Sequence, residues 1–122
     1  MNKITLSLIV VGLLFSSLAQ AGLNCVNCTV ISVGCSATYA GSQSCNVVVE
    51  GTVSGTRPAC HTFSEATPRW VIDVSTDGGK TMQALAVAAQ LADKPVIVYG
   101  LGACNTWANA EDINLIYLGN PL

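Results

Sequence analysis

Hydrophobic and polar residues alternate with a period of two in the first part of the chain, which is the pattern of strands with one buried face. The segments TVISVGCSATYA (29–40) and CNVVVEGTV (45–53) both show it. Gly41-Ser42 between them has the composition of a turn. The pattern predicts a β-hairpin whose buried side chains are Ile31, Val33, Cys35, Cys45, Val47 and Val49.

A third strand and a helix are predicted next. RWVIDVST (69–76) has the β-branched composition of a strand, whereas KTMQALAVAAQLADK (80–94) is rich in the strong helix formers Ala and Leu. Thr76 or Asp77 is the predicted N-cap, and Pro95 marks the end of the helix.

The segment KPVIVYGLGACNTWANAEDINLIYLG (94–119) holds two runs of β-branched and aromatic residues around a polar loop. It predicts the fourth and fifth strands. The order β-β-β-α-β-β is that of the OB-fold, a five-stranded Greek-key barrel, although other small barrels and α+β sheets share it. The predicted fold is therefore mainly β with one helix.

The predicted helix carries more apolar surface than one buried face requires. One stripe consists of Met82, Leu85, Ala86 and Ala89, and a second stripe of Ala84, Val87, Ala88 and Leu91. A helix that is apolar on nearly all sides is usually covered on more than one side. Two interpretations remain open: alanine is small enough to fit anywhere, or a neighbouring subunit covers the second stripe.

The N-terminal segment 1–21 has the features of a secretory signal peptide. A lysine near the start precedes an apolar run from Leu6 to Phe15, and Ala19-Gln20-Ala21 has the form of a small-x-small cleavage site. Ten to twelve apolar residues are too few to span a bilayer, so we expect cleavage after Ala21 and no transmembrane anchor. Residues 22–122 then form one domain of an exported protein, either secreted or periplasmic.

The net charge argues against a nucleic-acid partner. Without Lys3, the expected mature chain retains four basic residues against seven acidic ones, a net charge of −3. Phosphate binding requires a clustered excess of Lys and Arg.

The cysteines predict disulfides. All six lie in the expected mature chain, and an even number in a small exported domain favours three bridges. Cys35 and Cys45 fall symmetrically about the turn of the first hairpin, which makes them candidates for a cross-strand bridge. Metal binding or redox chemistry at Cys25 and Cys28 is the weaker alternative, because His61 is the only histidine and no second C-x-x-C is present. We expect no metal and no cofactor.

Enzymatic interpretations find little support. His61 adjoins Cys60, near Ser64 and Glu65, but neighbours on an extended chain point apart, and Cys60 is expected to be oxidised. The pair Glu111-Asp112 lies in a polar loop, where we expect a solvated turn rather than an acid-base site. The protein is predicted not to be an enzyme.

The span from Thr29 to Leu118 resembles the B subunits of pentameric A-B toxins, particularly the subtilase-cytotoxin and pertussis-like group, and related small exported bacterial proteins with the OB-fold. The motifs that carry the resemblance are VVVEG in the second strand, PAC in the loop after it, ALAVAAQLADKPVIVYG across the helix and fourth strand, and GLGACNTWANAEDINLIYL at the end. Their order along the chain is more specific than any one of them.

This resemblance implies a homopentamer that binds glycans of host cells, of the sialoglycan type, and delivers an enzymatic A subunit without catalysis of its own. It also implies a bridge between Cys60 and Cys104, which leaves Cys25 and Cys28 to each other. Relatives bind sialic acid through a serine at the start of the first strand and a tyrosine at the end of the fourth. Thr29 takes the serine position, and Tyr99 lies about one residue from the tyrosine position.

The loops joining strands one and two and strands four and five form a second candidate surface, since OB-folds often bind oligosaccharides there. An aromatic ring stacked on a sugar, with amides nearby, suits such a site; the alternative is that Trp107 packs over the end of the barrel. The predicted ligand-binding residues are Thr29, Ser32, Tyr39, Tyr99, Asn105 and Trp107. The other function left open is a stand-alone exported binding factor of the cell envelope.

Overall fold

The computed structural model describes residues 22–38 and 41–119. The fold is mainly β with one helix, as predicted. The elements are β1 (Leu23–Ser36), β2 (Ser44–Glu50), β3 (Val53–Gly55), β4 (Arg69–Asp73), α1 (Asp77–Ala92), β5 (Val96–Gly100) and β6 (Glu111–Leu118). The predicted signal peptide (1–21) and Tyr39 lie outside the described residues.

Five strands pair in a closed ring in the order β1, β2, β4, β6, β5 and back to β1. All neighbours in the ring are antiparallel except β4 and β6, which are parallel. The helix lies between β4 and β5 in the chain and contacts β1, β4 and β6. The predicted order of elements is thus found, with the short β3 as an addition.

β1 is longer than predicted and starts at Leu23 rather than Thr29. Its first part pairs with β3 and β5, and its second part pairs with β2. An irregularity separates Cys25 from Cys28, and Asn27 within it has a positive φ of 56°. This break in the period-two pattern is the reason that the sequence pattern missed the first half of the strand.

A second irregularity lies between Val30 and Ser32. It moves Val30 into the core, with 4% of its surface exposed, and leaves Ile31 42% exposed. The prediction that Ile31 is buried was therefore wrong, because a bulge exchanges the two faces of a strand. Cys35 was also predicted to be buried, and it is exposed near the end of β1. The inward positions predicted in β2 (Cys45, Val47 and Val49) are confirmed.

Gly51 separates β2 from β3. Its φ is 152°, and a Cβ at this position would collide with Cys28. Only glycine accommodates both the positive φ and the close approach of Cys28. The turn brings β3 alongside the start of β1, where Gly55 lies opposite Leu23.

α1 follows its predicted signals. The Thr76 hydroxyl accepts a hydrogen bond from the Gly79 N–H at 3.0 Å, so Thr76 is the N-cap, one of the two predicted residues. At the other end Asp93 adopts a left-handed conformation, and Lys94 N–H donates to the Ala89 carbonyl. The helix places Ala86 and Ala89 in the core, with Met82 and Leu85 packed beside them.

Three disulfides cross-link the fold, as predicted: Cys25 with Cys28, Cys35 with Cys45, and Cys60 with Cys104. Cys35 and Cys45 lie directly opposite each other in the β1–β2 hairpin. The bridge between Cys60 and Cys104 joins the loop after β3 to the loop between β5 and β6. Both long loops are thereby fixed against each other.

Candidate functional site

The outer face of β1, β5 and β6 presents tyrosines beside an amide. Val96 and Val98 of β5 point into the core, so Tyr99 lies on the other side of the strand. Ile97 lies on that side too, but only 4% of its surface is exposed. Tyr99 is half-buried and lies between Asn24 of β1 and Leu115 of β6. Tyr117 lies opposite Ile97 and is 46% exposed. We name Asn24, Tyr99, Leu115 and Tyr117 the outer tyrosine face.

Sequence reasoning selected Tyr99 as a ligand-binding residue, in a site shared with Thr29, but missed Asn24 and Tyr117. The sequence did contain a signal for Tyr117. Residues alternate between the two faces of a strand, so if Ile116 is buried, Leu115 and Tyr117 lie together on the outer face. Asn24 had no such signal, because the irregularity after Cys25 hides the first part of β1 from a periodicity argument.

Thr29 and Ser32 are exposed on β1, but they lie away from Tyr99. Cys28 is opposite Val96, whereas Tyr99 is opposite Asn24 at the other end of β5. At about 3.3 Å per residue, Thr29 is displaced from Tyr99 by roughly 13 Å along the sheet. The described structure therefore does not bring the threonine and the tyrosine into one small pocket.

Asn105 is exposed on a loop whose backbone is fixed. The Asp112 carboxylate accepts hydrogen bonds from the backbone N–H groups of Asn105 at 2.9 Å and Thr106 at 3.0 Å. Cys104, the preceding residue, is bridged to Cys60. The Asn105 side chain is thus presented to solvent from a rigid support, on the loop that begins directly after β5.

Trp107 packs into the protein. Only 7% of its surface is exposed, and its neighbours are Val71, Ala110 and Phe63. Its indole Nε1–H donates to the Ser44 hydroxyl at 2.9 Å. The ring therefore offers little face to a sugar, and its burial favours the packing alternative over the binding role.

Glu111 and Asp112 are buried, so the prediction of a solvated turn was wrong. Glu111 is fully buried and Asp112 is 8% exposed. The Glu111 carboxylate accepts hydrogen bonds from the Leu23 N–H at 3.2 Å and the Gly102 N–H at 2.7 Å. Backbone N–H groups donate to both carboxylates, and no sequence pattern predicts such donors.

His61 is the neighbour of Glu111 rather than of Ser64 and Glu65. Its Nδ1 lies 3.6 Å from Glu111 Oε2, and both side chains are fully buried. Its ring makes edge contacts with Phe63 and Trp70. His61 is separated from solvent in this arrangement, and Cys60 beside it is oxidised.

Cys25 and Cys28 are also fully buried. Their disulfide spans the irregularity of β1, with Val26 and Asn27 exposed outside it. A disulfide that exchanges with other thiols must be reached by them. The burial of this bridge favours a structural role.

The solvent side of α1 changes character along its length. The second stripe (Ala84, Val87, Ala88 and Leu91) occupies the later turns, while Asp77, Lys80 and Thr81 occupy the same side of the first turns. Leu91 is 82% exposed. Gln90 donates from its side chain to the Ile31 carbonyl at 3.1 Å, which places the exposed Ile31 close to this end of the helix.

Among the described residues, no helix has both the length and the apolar character needed to cross a membrane. Comparison of the chain with protein families, with curated proteins and with solved structures found no match.

Proposed function

We propose that this protein is an exported glycan-binding subunit with the OB-fold, non-catalytic, which assembles as a homopentamer and delivers an enzymatic A subunit to host cells. The closed ring supports the fold assignment, because a five-stranded ring with a helix after its third strand is the arrangement of that barrel. The resemblance of the chain to toxin B subunits supports the biological role.

The observation that carries the binding proposal is the outer tyrosine face beside the rigid Asn105 loop. Tyrosine rings provide flat apolar surface with a hydroxyl at the edge, and amides both donate to and accept from sugar hydroxyls. Tyr99 and Tyr117 lie diagonally across β5 and β6, a separation of roughly 7 to 8 Å that two adjacent sugar units can cover. Thr29 offers a further hydroxyl along the same sheet.

Assembly is supported by the second stripe of α1. An exposed leucine on the later turns of the helix, close to the exposed Ile31, gives a subunit apolar surface to bury. Several copies in one assembly raise avidity for a cell surface by roughly 10² to 10⁴ over a single weak site. This suits sugar hydroxyls, which gain little net free energy when they exchange water for protein.

A glycan array probed with the oxidised, assembled protein tests the proposal. Thr29→Val and Tyr99→Phe each remove one hydroxyl, and Asn105→Ala removes one amide. Thr81→Val on α1 is the matched control, because it removes an exposed hydroxyl from the solvent side of the helix. We expect the wild type and the control to bind sialylated glycans, and Tyr99→Phe or Asn105→Ala to bind at least fivefold more weakly.

Loss of binding confined to Thr29→Val would place the site where the resemblance puts it and not on the outer tyrosine face. An assembled wild type that binds no glycan contradicts the proposal and favours the exported binding factor of the envelope.

A further inference from the structure

Glu111 is a buried carboxylate with few partners of opposite charge. Among the described residues, the one basic side chain within ion-pair distance of it is His61, which carries a charge only when protonated. The other partners are the neutral N–H groups of Leu23 and Gly102. A buried carboxylate that lacks a cation destabilises the folded state.

Gly22 packs directly against this carboxylate. A Cβ built on Gly22 would overlap both Glu111 Oε1 and the Gly100 carbonyl, and a Cβ built on Gly100 would overlap the carboxylate from its own side. The Glu111 head group is therefore enclosed by two glycines, each at a position where any side chain would collide.

Standard bond geometry keeps the backbone nitrogen of Gly22 close to the same carboxylate. The next nitrogen along the chain, that of Leu23, is 3.2 Å from both carboxylate oxygens. Consecutive backbone nitrogens are about 3 to 3.7 Å apart, given standard bond lengths. Because Gly22 itself also contacts Glu111, its nitrogen is placed for an ion pair if it becomes charged.

We propose that cleavage after Ala21 makes the Gly22 nitrogen an α-ammonium group that forms a buried ion pair with Glu111. Hydrolysis of the Ala21–Gly22 amide by the signal peptidase of the exporting cell consumes one water. It leaves a carboxylate on Ala21 and an amine on Gly22, which takes up a proton and is largely charged at neutral pH. The pairing rests on this predicted cleavage and is independent of glycan binding.

The ion pair links maturation to stability. In the precursor the Gly22 nitrogen is a neutral amide, so the carboxylate has no cation from the main chain. In the mature protein the new charge arises beside the buried carboxylate and ties the chain start to β5 and β6. The requirement for glycine at the first mature position follows from the same close contact.

The test compares the exported protein with a variant that has one serine inserted between Ala21 and Gly22, each with Glu111 or with Glu111→Gln. Intact mass first identifies the N-terminal residue of each protein. With Glu111 present, we expect the insertion to lower the urea midpoint of unfolding. In the Glu111→Gln background, we expect the same insertion to lower the midpoint by less than a third of that amount. Equal losses in both backgrounds would overturn the ion pair, as would a wild type whose mature chain does not begin at Gly22.

A second measurement needs no substitution of Glu111. The wild type is treated with an aldehyde reagent selective for α-amino groups. One sample is folded, and the other is unfolded in urea with its disulfides reduced. We expect the folded α-amino group to react at least tenfold more slowly than the unfolded one. Equal rates would show an exposed N-terminus and would reject the pairing even if the Glu111→Gln protein failed to fold.

Discussion

The loop between β5 and β6 and the later turns of α1 differ in how the fold uses their side chains. In the loop region the residues with binding or acid-base chemistry, Trp107, Glu111 and Asp112, are buried and hydrogen-bonded. On the helix, Leu91 has a purely apolar side chain and is 82% exposed. In both regions, the type of a residue alone therefore gives a wrong prediction of its role. Burial and hydrogen-bond partners indicate that these three side chains serve the fold, while the exposed leucine is the feature that the isolated subunit does not explain.

The largest effect is expected for Trp107→Ala. Removal of a buried indole leaves a cavity and an unpaired Ser44 hydroxyl, and such changes lower the free energy of unfolding by about 3 to 5 kcal/mol. Trp107→Phe keeps most of the ring and is expected to cost less. Urea denaturation of both variants measures the difference. If the Trp107→Ala protein is as stable as the wild type but no longer binds glycan, Trp107 is a ligand-binding residue rather than a packing residue.

A smaller loss is expected for Asp112→Ala. This change removes the acceptor for the N–H groups of Asn105 and Thr106, and hydrogen bonds to a buried charged group contribute about 1.5 to 3 kcal/mol. Asp112→Asn retains one acceptor oxygen and should retain part of the stability. Hydrogen exchange at the amides of 105 and 106 is expected to accelerate in Asp112→Ala. Unchanged exchange would show that another contact holds the loop.

The sequence predicted the features that depend on neighbours along the chain. The N-cap at Thr76 or Asp77, the inward side of β2 and the bridge from Cys35 to Cys45 follow from local pattern and turn symmetry, and the bridge from Cys60 to Cys104 was implied by family resemblance. The burial of Glu111 and Asp112 was not predictable, because it depends on N–H donors at residues 23, 102, 105 and 106. The exposure of Ile31 was missed because one bulge reverses the alternation.

The substitution Leu91→Glu tests whether the later turns of α1 form an interface. If a second copy of the chain covers this residue, a buried unpaired charge at the interface should give a folded subunit in a smaller assembly. Thr81→Glu is the control, since it adds the same charge on the same side of α1 in the polar first turns. Size-exclusion with light scattering measures both. Identical assembly sizes for the two variants would show that the second stripe is not an interface.

The smallest effect is expected for Asp73→Asn, at the exposed end of β4 before α1. The Ser75 hydroxyl and the Ser75 N–H donate to this carboxyl and lower its pKa below the ordinary 3.8. A lowered pKa in the folded state adds stability above about pH 4, and this stability is lost as the pH falls through the folded value. Asp73→Asn should thus be slightly less stable than the wild type at pH 7, with a gap that closes in acid. A gap that is independent of pH would exclude the carboxylate charge as its cause.

The native mass of the mature, oxidised protein is the most direct test of the central claim, which is that the exposed end of α1 is covered by further copies of the same chain. Native mass spectrometry at micromolar concentration counts the copies without any assumption about the ligand. The account predicts one species of five chains, each beginning at Gly22 and carrying three disulfides. A monomer as the sole species would contradict it.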